Sequence, residues 1–134
     1  MYFKQLFEPL SSTYTYLLGD EQTGQAILID PVISSMERDR AELHRLGLTL
    51  AWTLDTHIHA DHITAALELK RATGSRIASS GIDRLPCADA WVEEGVPFTV
   101  AGITLQPLHT PGHTDGHFAY LLGERVFTGD ALLI

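Results

Sequence analysis

Thr56-His57-Ile58-His59-Ala60-Asp61-His62 sets three imidazoles and a carboxylate within six residues, directly after the apolar run Leu48-Thr49-Leu50-Ala51-Trp52-Thr53-Leu54. The run reads as a buried strand. Imidazole and carboxylate are ligands for first-row transition metals, and strands deliver such groups from their ends, where loops hold them open to solvent. Packing accounts for one histidine at a strand end. It does not account for three with an aspartate in so short a segment, so the chain is read from here outward.

Upstream, Tyr2 to Glu8 is aromatic-rich and partly alternating, and Ser12 to Leu18 is aromatic and β-branched; both read as strands. Ala26-Ile27-Leu28-Ile29 follows a turn at Thr23-Gly24 and stops at Asp30-Pro31. A short, continuous apolar run of this kind is expected of a strand covered on both faces. Three strands in thirty residues predict a β-meander. Ser34 or Ser35 is then expected to cap a helix running to about Leu46, with Gly47 as its stop. Met36, Leu43 and Leu46 form its apolar side, leaving Glu37, Arg38, Asp39, Glu42 and His44 in solvent.

Downstream, Ile63, Ala66, Leu67 and Leu69 suit a helix that begins after His62 and ends at Gly74, and Arg76-Ile77-Ala78-Ser79 suits a strand. Strand, ligand loop, helix and strand make a βαβ unit. Residues 81 to 95 read as loop or short helix. Phe98-Thr99-Val100 and Ile103 to Leu108 flank Ala101-Gly102, and His117 to Leu122 and Arg125 to Thr128 flank Gly123-Glu124. Both are hairpin signals. The whole predicts an α+β fold in one domain, residues 1–134, with a mixed sheet and helices outside it.

Two further loops carry ligand chemistry. Residues 109–117 hold His109, His113, Asp115 and His117, and Gly129-Asp130 follows the last predicted strand. Gly112 and Gly129 stand directly before His113 and Asp130, where a close backbone approach or a positive φ aims the next side chain inward. His57, His113 and Asp130 thus each follow a separate strand, and the strand ends can converge. Two imidazoles and a carboxylate suit Fe(II), Mn or Zn; His59 would make the site more zinc-like, and Asp61 with His62 could form a second metal position. Spacing leaves these open. Asp55 and Asp115 fit turn or supporting groups better than ligands.

Composition narrows the class of protein. A 45% hydrophobic, 19% charged chain is ordinary globular material. The net charge of −8 argues against nucleic acid and anionic membranes as partners. A lone cysteine, Cys87, excludes an internal disulfide or a cysteine-rich zinc site. A free thiol suits a reducing compartment, and with no leader-like opening or membrane-length apolar run the expected location is the cytoplasm.

The His-x-His-x-Asp-His stretch from His57 to His62, Thr110-Pro111-Gly112-His113-Thr114 and Phe127-Thr128-Gly129-Asp130 together resemble, in order, the metal motifs of the metallo-β-lactamase superfamily. Gln5 to Pro9, Ser11 to Leu18, His59 to Thr64 and Phe127 to Ile134 are similar to the persulfide dioxygenases within it. Glyoxalase II hydrolases more often carry Gly-Gly-Asn where Thr64-Ala65-Ala66 stands here. The resemblance implies an αββα sandwich, of which this chain is expected to be the N-terminal half to two-thirds, with an exposed apolar sheet face. It implies one Fe(II), with Zn as the alternative, held by His57, His113 and Asp130. His59, Asp61 and His62 would then hydrogen-bond to ligands or bound water. The implied reaction is oxidation of glutathione persulfide by O2 and water to sulfite and glutathione. A two-metal thioester hydrolase of the glyoxalase II type is the alternative, as is an inactive piece needing a complementary segment. A homo-oligomer or a fused sulfurtransferase domain is a further implied association.

Overall fold

The structure, a computed structural model, describes residues 1–9, 13–57, 59–110, 116–123 and 125–127. Strands β1 (Tyr2–Glu8), β2 (Thr13–Asp20) and β3 (Gln25–Ile29) form the expected antiparallel meander. A 3-10 turn at Ile33–Ser35 leads into helix α1 (Met36–Leu46) and strand β4 (Thr49–Leu54). Helix α2 (Ala60–Thr73), β5 (Arg76–Ser80) and β6 (Ala90–Val92) follow, and β3 to β6 pair in parallel. These strands make one six-stranded sheet in the order β1-β2-β3-β4-β5-β6. The second sheet is antiparallel, in the order β10-β9-β8-β7, from β7 (Phe98–Val100), β8 (Ile103–His109), β9 (Phe118–Leu122) and β10 (Arg125–Phe127).

Side-chain alternation builds the layers. Leu18, Ile27, Ile29 and Leu54 face the second sheet and pack with Ile103, Leu105, Phe118, Tyr120 and Phe127. Their neighbours Leu17, Ala26 and Leu28 point the other way, onto Leu43 of α1 and Leu69 of α2. Ala26 to Ile29 are all fully buried, as a strand between two layers requires. In the second sheet, Leu108 and Val126 are exposed. Among the described residues no helix is long and apolar enough to cross a membrane.

Four local expectations need correction. Ser35 occupies the cap position of α1 but its hydroxyl donates to the Val32 carbonyl and caps nothing. Asp39 is buried, not solvated, and is held by Arg38. Helix α2 starts at Ala60, so Asp61 and His62 lie in its first turn rather than in a loop. Within 81–95 the chain forms β6, too short and too irregular in pattern for periodicity to reveal. The turn at Ala101-Gly102 is as expected, and both residues have the positive φ that a two-residue hairpin loop of type I′ demands.

Candidate metal centre

The parallel strands β3 and β4 end side by side, with Ile29 opposite Leu54. In open sheets the carboxyl ends of parallel strands are where ligands collect. Here the residues just past those ends are Asp30 and the Asp55–His57 segment. Asp30 takes a left-handed backbone conformation, φ +55°, that few residues other than glycine, asparagine and aspartate tolerate. Its amide donates to the Leu54 carbonyl and Thr15 donates its hydroxyl to the Asp30 carbonyl, so the backbone is held on both sides.

So fixed, the Asp30 carboxylate meets Thr56. The Thr56 amide donates to Oδ1 at 2.7 Å and the Thr56 hydroxyl donates to Oδ2 at 2.6 Å. The same hydroxyl oxygen lies 2.9 Å from Nδ1 of His57. A hydroxyl has one proton, and here it is committed to the carboxylate. His57 must therefore donate from Nδ1, which makes Nε2 the nitrogen that carries the lone pair, the form in which an imidazole ligates a metal. Asp30, Thr56 and His57 are all buried.

His62, also buried, turns Nδ1 to 3.8 Å from Oδ1 of Asp30, and its ring centre is 4.9 Å from that of His57. Asp30, His57 and His62 each offer a ligand atom, all within 4.8 Å of one another, and so form a candidate metal-binding site. The donor chemistry fits a first-row divalent ion: two imidazoles, one with its tautomer fixed, beside a buried carboxylate. His59 and Asp61 stand further out. Both are exposed; the His59 ring caps α2 by accepting from the Asp61 amide, and its centre is 6.2 Å from that of His57. His113, Asp115 and Asp130 lie outside the described residues.

Strand β9 packs against the segment that carries His57. The Phe118 amide donates to the Thr56 carbonyl at 2.7 Å, and the Tyr120 hydroxyl donates to the Asp55 carbonyl at 2.8 Å. Burial, then the charges of Asp30 and Asp55, hold the Tyr120 phenol well above its ordinary range, so it stays a donor. Asp55 is fully buried; burial and then the Asp30 charge push its acid group upward as well. His109 ends β8 against Phe118, and His117 sits immediately before β9.

Asp30 and Thr56 were not singled out from sequence. Asp30 reads locally as a strand stop before proline, and Thr56 as a flank of the histidine motif. The usable signal was positional: an aspartate ending a doubly covered strand, followed by a second buried strand ending in the motif.

Comparison with known proteins gives the centre its relatives. Residues 9–91 match the family model of the metallo-beta-lactamase superfamily. The chain is 43% identical over 135 residues to the mitochondrial persulfide dioxygenase ETHE1 of Bos taurus, covering 98% of this chain and 52% of that protein. It is 39% identical over 127 residues to a hydroxyacylglutathione hydrolase of Rhodospirillum rubrum, covering 92% of this chain and 49% of that one. The chain thus spans about half the length of the curated relatives it matches. The crystal structure of ETHE1 from Myxococcus xanthus superposes with a TM-score of 0.93 at 51% identity, over all of this chain and 59% of that one. Sandwich topology, strand-end histidines and the family match lead to one conclusion: the chain belongs to the metallo-beta-lactamase superfamily.

Proposed function

We propose that the chain carries the iron-binding part of a persulfide dioxygenase that acts on glutathione persulfide, in one metallo-β-lactamase-like domain over residues 1–134. The observation that supports this most directly is the Asp30–Thr56–His57 chain, which orients the His57 ring and sets its tautomer. In this reading His57, His113 and Asp130 are the ligands of one Fe(II). Asp30 is then the group that sets the His57 tautomer, since both its oxygens already accept from Thr56. His62 lines the same wall. Iron supplies the activation of O2 for transfer of two oxygen atoms to the outer sulfur, so that persulfide, O2 and water give glutathione, sulfite and two protons. The protein's part is to hold the imidazole and exclude water behind it. The cytoplasm, a reducing compartment, suits this chemistry and the unpaired Cys87.

The likeness to hydroxyacylglutathione hydrolases supports a second reading, a two-metal thioester hydrolase in which Asp61 and His62 become ligands. O2 uptake decides between them. The chain, loaded anaerobically with Fe(II), is given glutathione persulfide, with His57→Ala beside it. Uptake matched by sulfite, absent in the variant, is expected. Iron retained with no uptake, together with thioester hydrolysis at two metals per chain, would overturn the dioxygenase reading.

A further inference from the structure

We infer that His117 is a positioning residue for His57, holding its imidazole plane through a parallel ring contact. The inference rests on reading His57 as a metal ligand, and extends it to a histidine that belongs to none of the ligand sets above. The His117 ring lies nearly parallel to that of His57, 11° between planes and 5.5 Å between centres, within the range of an offset stack. His117 is fully buried. Its own ring is fixed: Nδ1 is 2.8 Å from the hydroxyl of Thr110, and the Thr110 amide donates to the His117 carbonyl at 2.9 Å.

The placement is more than incidental contact. His117, Phe118 and Tyr120 meet the segment Asp55–His57 in turn: ring on ring at His57, amide to carbonyl at Thr56, phenol to carbonyl at Asp55. Asp30 and Thr56 fix which nitrogen of His57 is protonated. A flat, buried neighbour parallel to the ring restrains its plane as well. Outer partners that orient a metal-binding histidine are worth roughly 10–100-fold in metal affinity.

The test uses Co(II) as a spectroscopic probe, with affinity measured by chelator competition on the full chain, its His117→Ala and Thr110→Val variants and the double variant. Both single variants are expected to bind Co(II) at least 10-fold more weakly and to shift its visible spectrum. The double variant is expected to match His117→Ala, because Thr110 acts through His117. In the metal-free protein, long-range 1H–15N spectra should keep the Nδ1-protonated signature of His57 in both variants. An affinity within twofold of the parent with an unchanged spectrum would overturn the inference alone. Failure of the parent chain to bind Co(II) would overturn the metal reading and this inference with it. Should His117→Ala not fold, Thr110→Val, which removes one hydroxyl, carries the same test.

Discussion

Replacing Thr56 by valine isolates the Asp30–Thr56–His57 chain. The side chain keeps its shape and the backbone amide still reaches Oδ1 of Asp30, but Oγ1 is gone. Two hydrogen bonds disappear: the 2.6 Å donation to Oδ2 of Asp30 and the 2.9 Å acceptance from Nδ1 of His57. A hydrogen bond to a charged group contributes about 1.5–3 kcal/mol, and a buried donor left unpaired costs about 1–3 kcal/mol. Water is poorly placed to substitute, since Thr56 is fully buried and Asp30 and His57 nearly so. Thr56→Val is therefore expected to destabilise the metal-free protein by about 2.5–6 kcal/mol, the sum of those two contributions. Thr56→Ser keeps the hydroxyl and loses one methyl group, for about 1 kcal/mol. Urea unfolding at pH 7, read by tryptophan fluorescence with a common slope, measures both. Co(II) affinity should fall roughly 10–100-fold in the valine variant and stay near the parent value in the serine variant. Equal destabilisation by valine and serine, with unchanged metal affinity, would show that the Thr56 hydroxyl does not govern His57.

Three further perturbations follow. Burial outweighs the neighbouring Arg38 and raises the Asp39 carboxyl from 3.8 to about 6. Between those values the folded state binds the proton and the unfolded state does not, so stability falls as pH rises from about 4 to 6 and levels off above, by about 3 kcal/mol. Asp39→Asn should remove that slope and be the more stable protein at pH 7.5 in paired urea titrations; an unchanged slope would contradict the burial argument. Gly81→Ala would place a methyl 2.7 Å from the fixed Val92 carbonyl oxygen, where β5 meets β6, and should cost about 1–3 kcal/mol. Leu54→Ala empties a fully buried position between the sheets and should lower the unfolding free energy by about 2–5 kcal/mol, while Leu108→Ala, on an exposed site, should change it little.

How much of this was legible from sequence depends on the range of the interaction. The meander, the βαβ unit and the two hairpins are local: each rests on a run, a turn and a period that neighbouring residues carry. The doubly buried Ala26 to Ile29 run is legible for the same reason. Asp39 is legible in principle. Met36, Asp39, Leu43 and Leu46 stand at spacings of three, four and three, one stripe of a helix, so the aspartate shares the apolar face. The three-residue strand β6 is too short for any period to declare it. The histidine motif announced a metal, but its supporting carboxylate did not announce itself, because Asp30 and Thr56 are 26 residues apart and meet only when β3 and β4 pair in parallel. Nothing local specifies that register. What specifies it is which side chains meet the second sheet and which meet the helices, an assignment that a slip of one residue would exchange along the whole strand. The core thereby sets the chemistry: aligning Ile29 with Leu54 leaves Asp30 and Thr56 as the next residues past each strand end, and a left-handed turn at Asp30 brings carboxylate to hydroxyl. A mutation that shifts this register should therefore abolish metal binding with every candidate ligand still in the sequence.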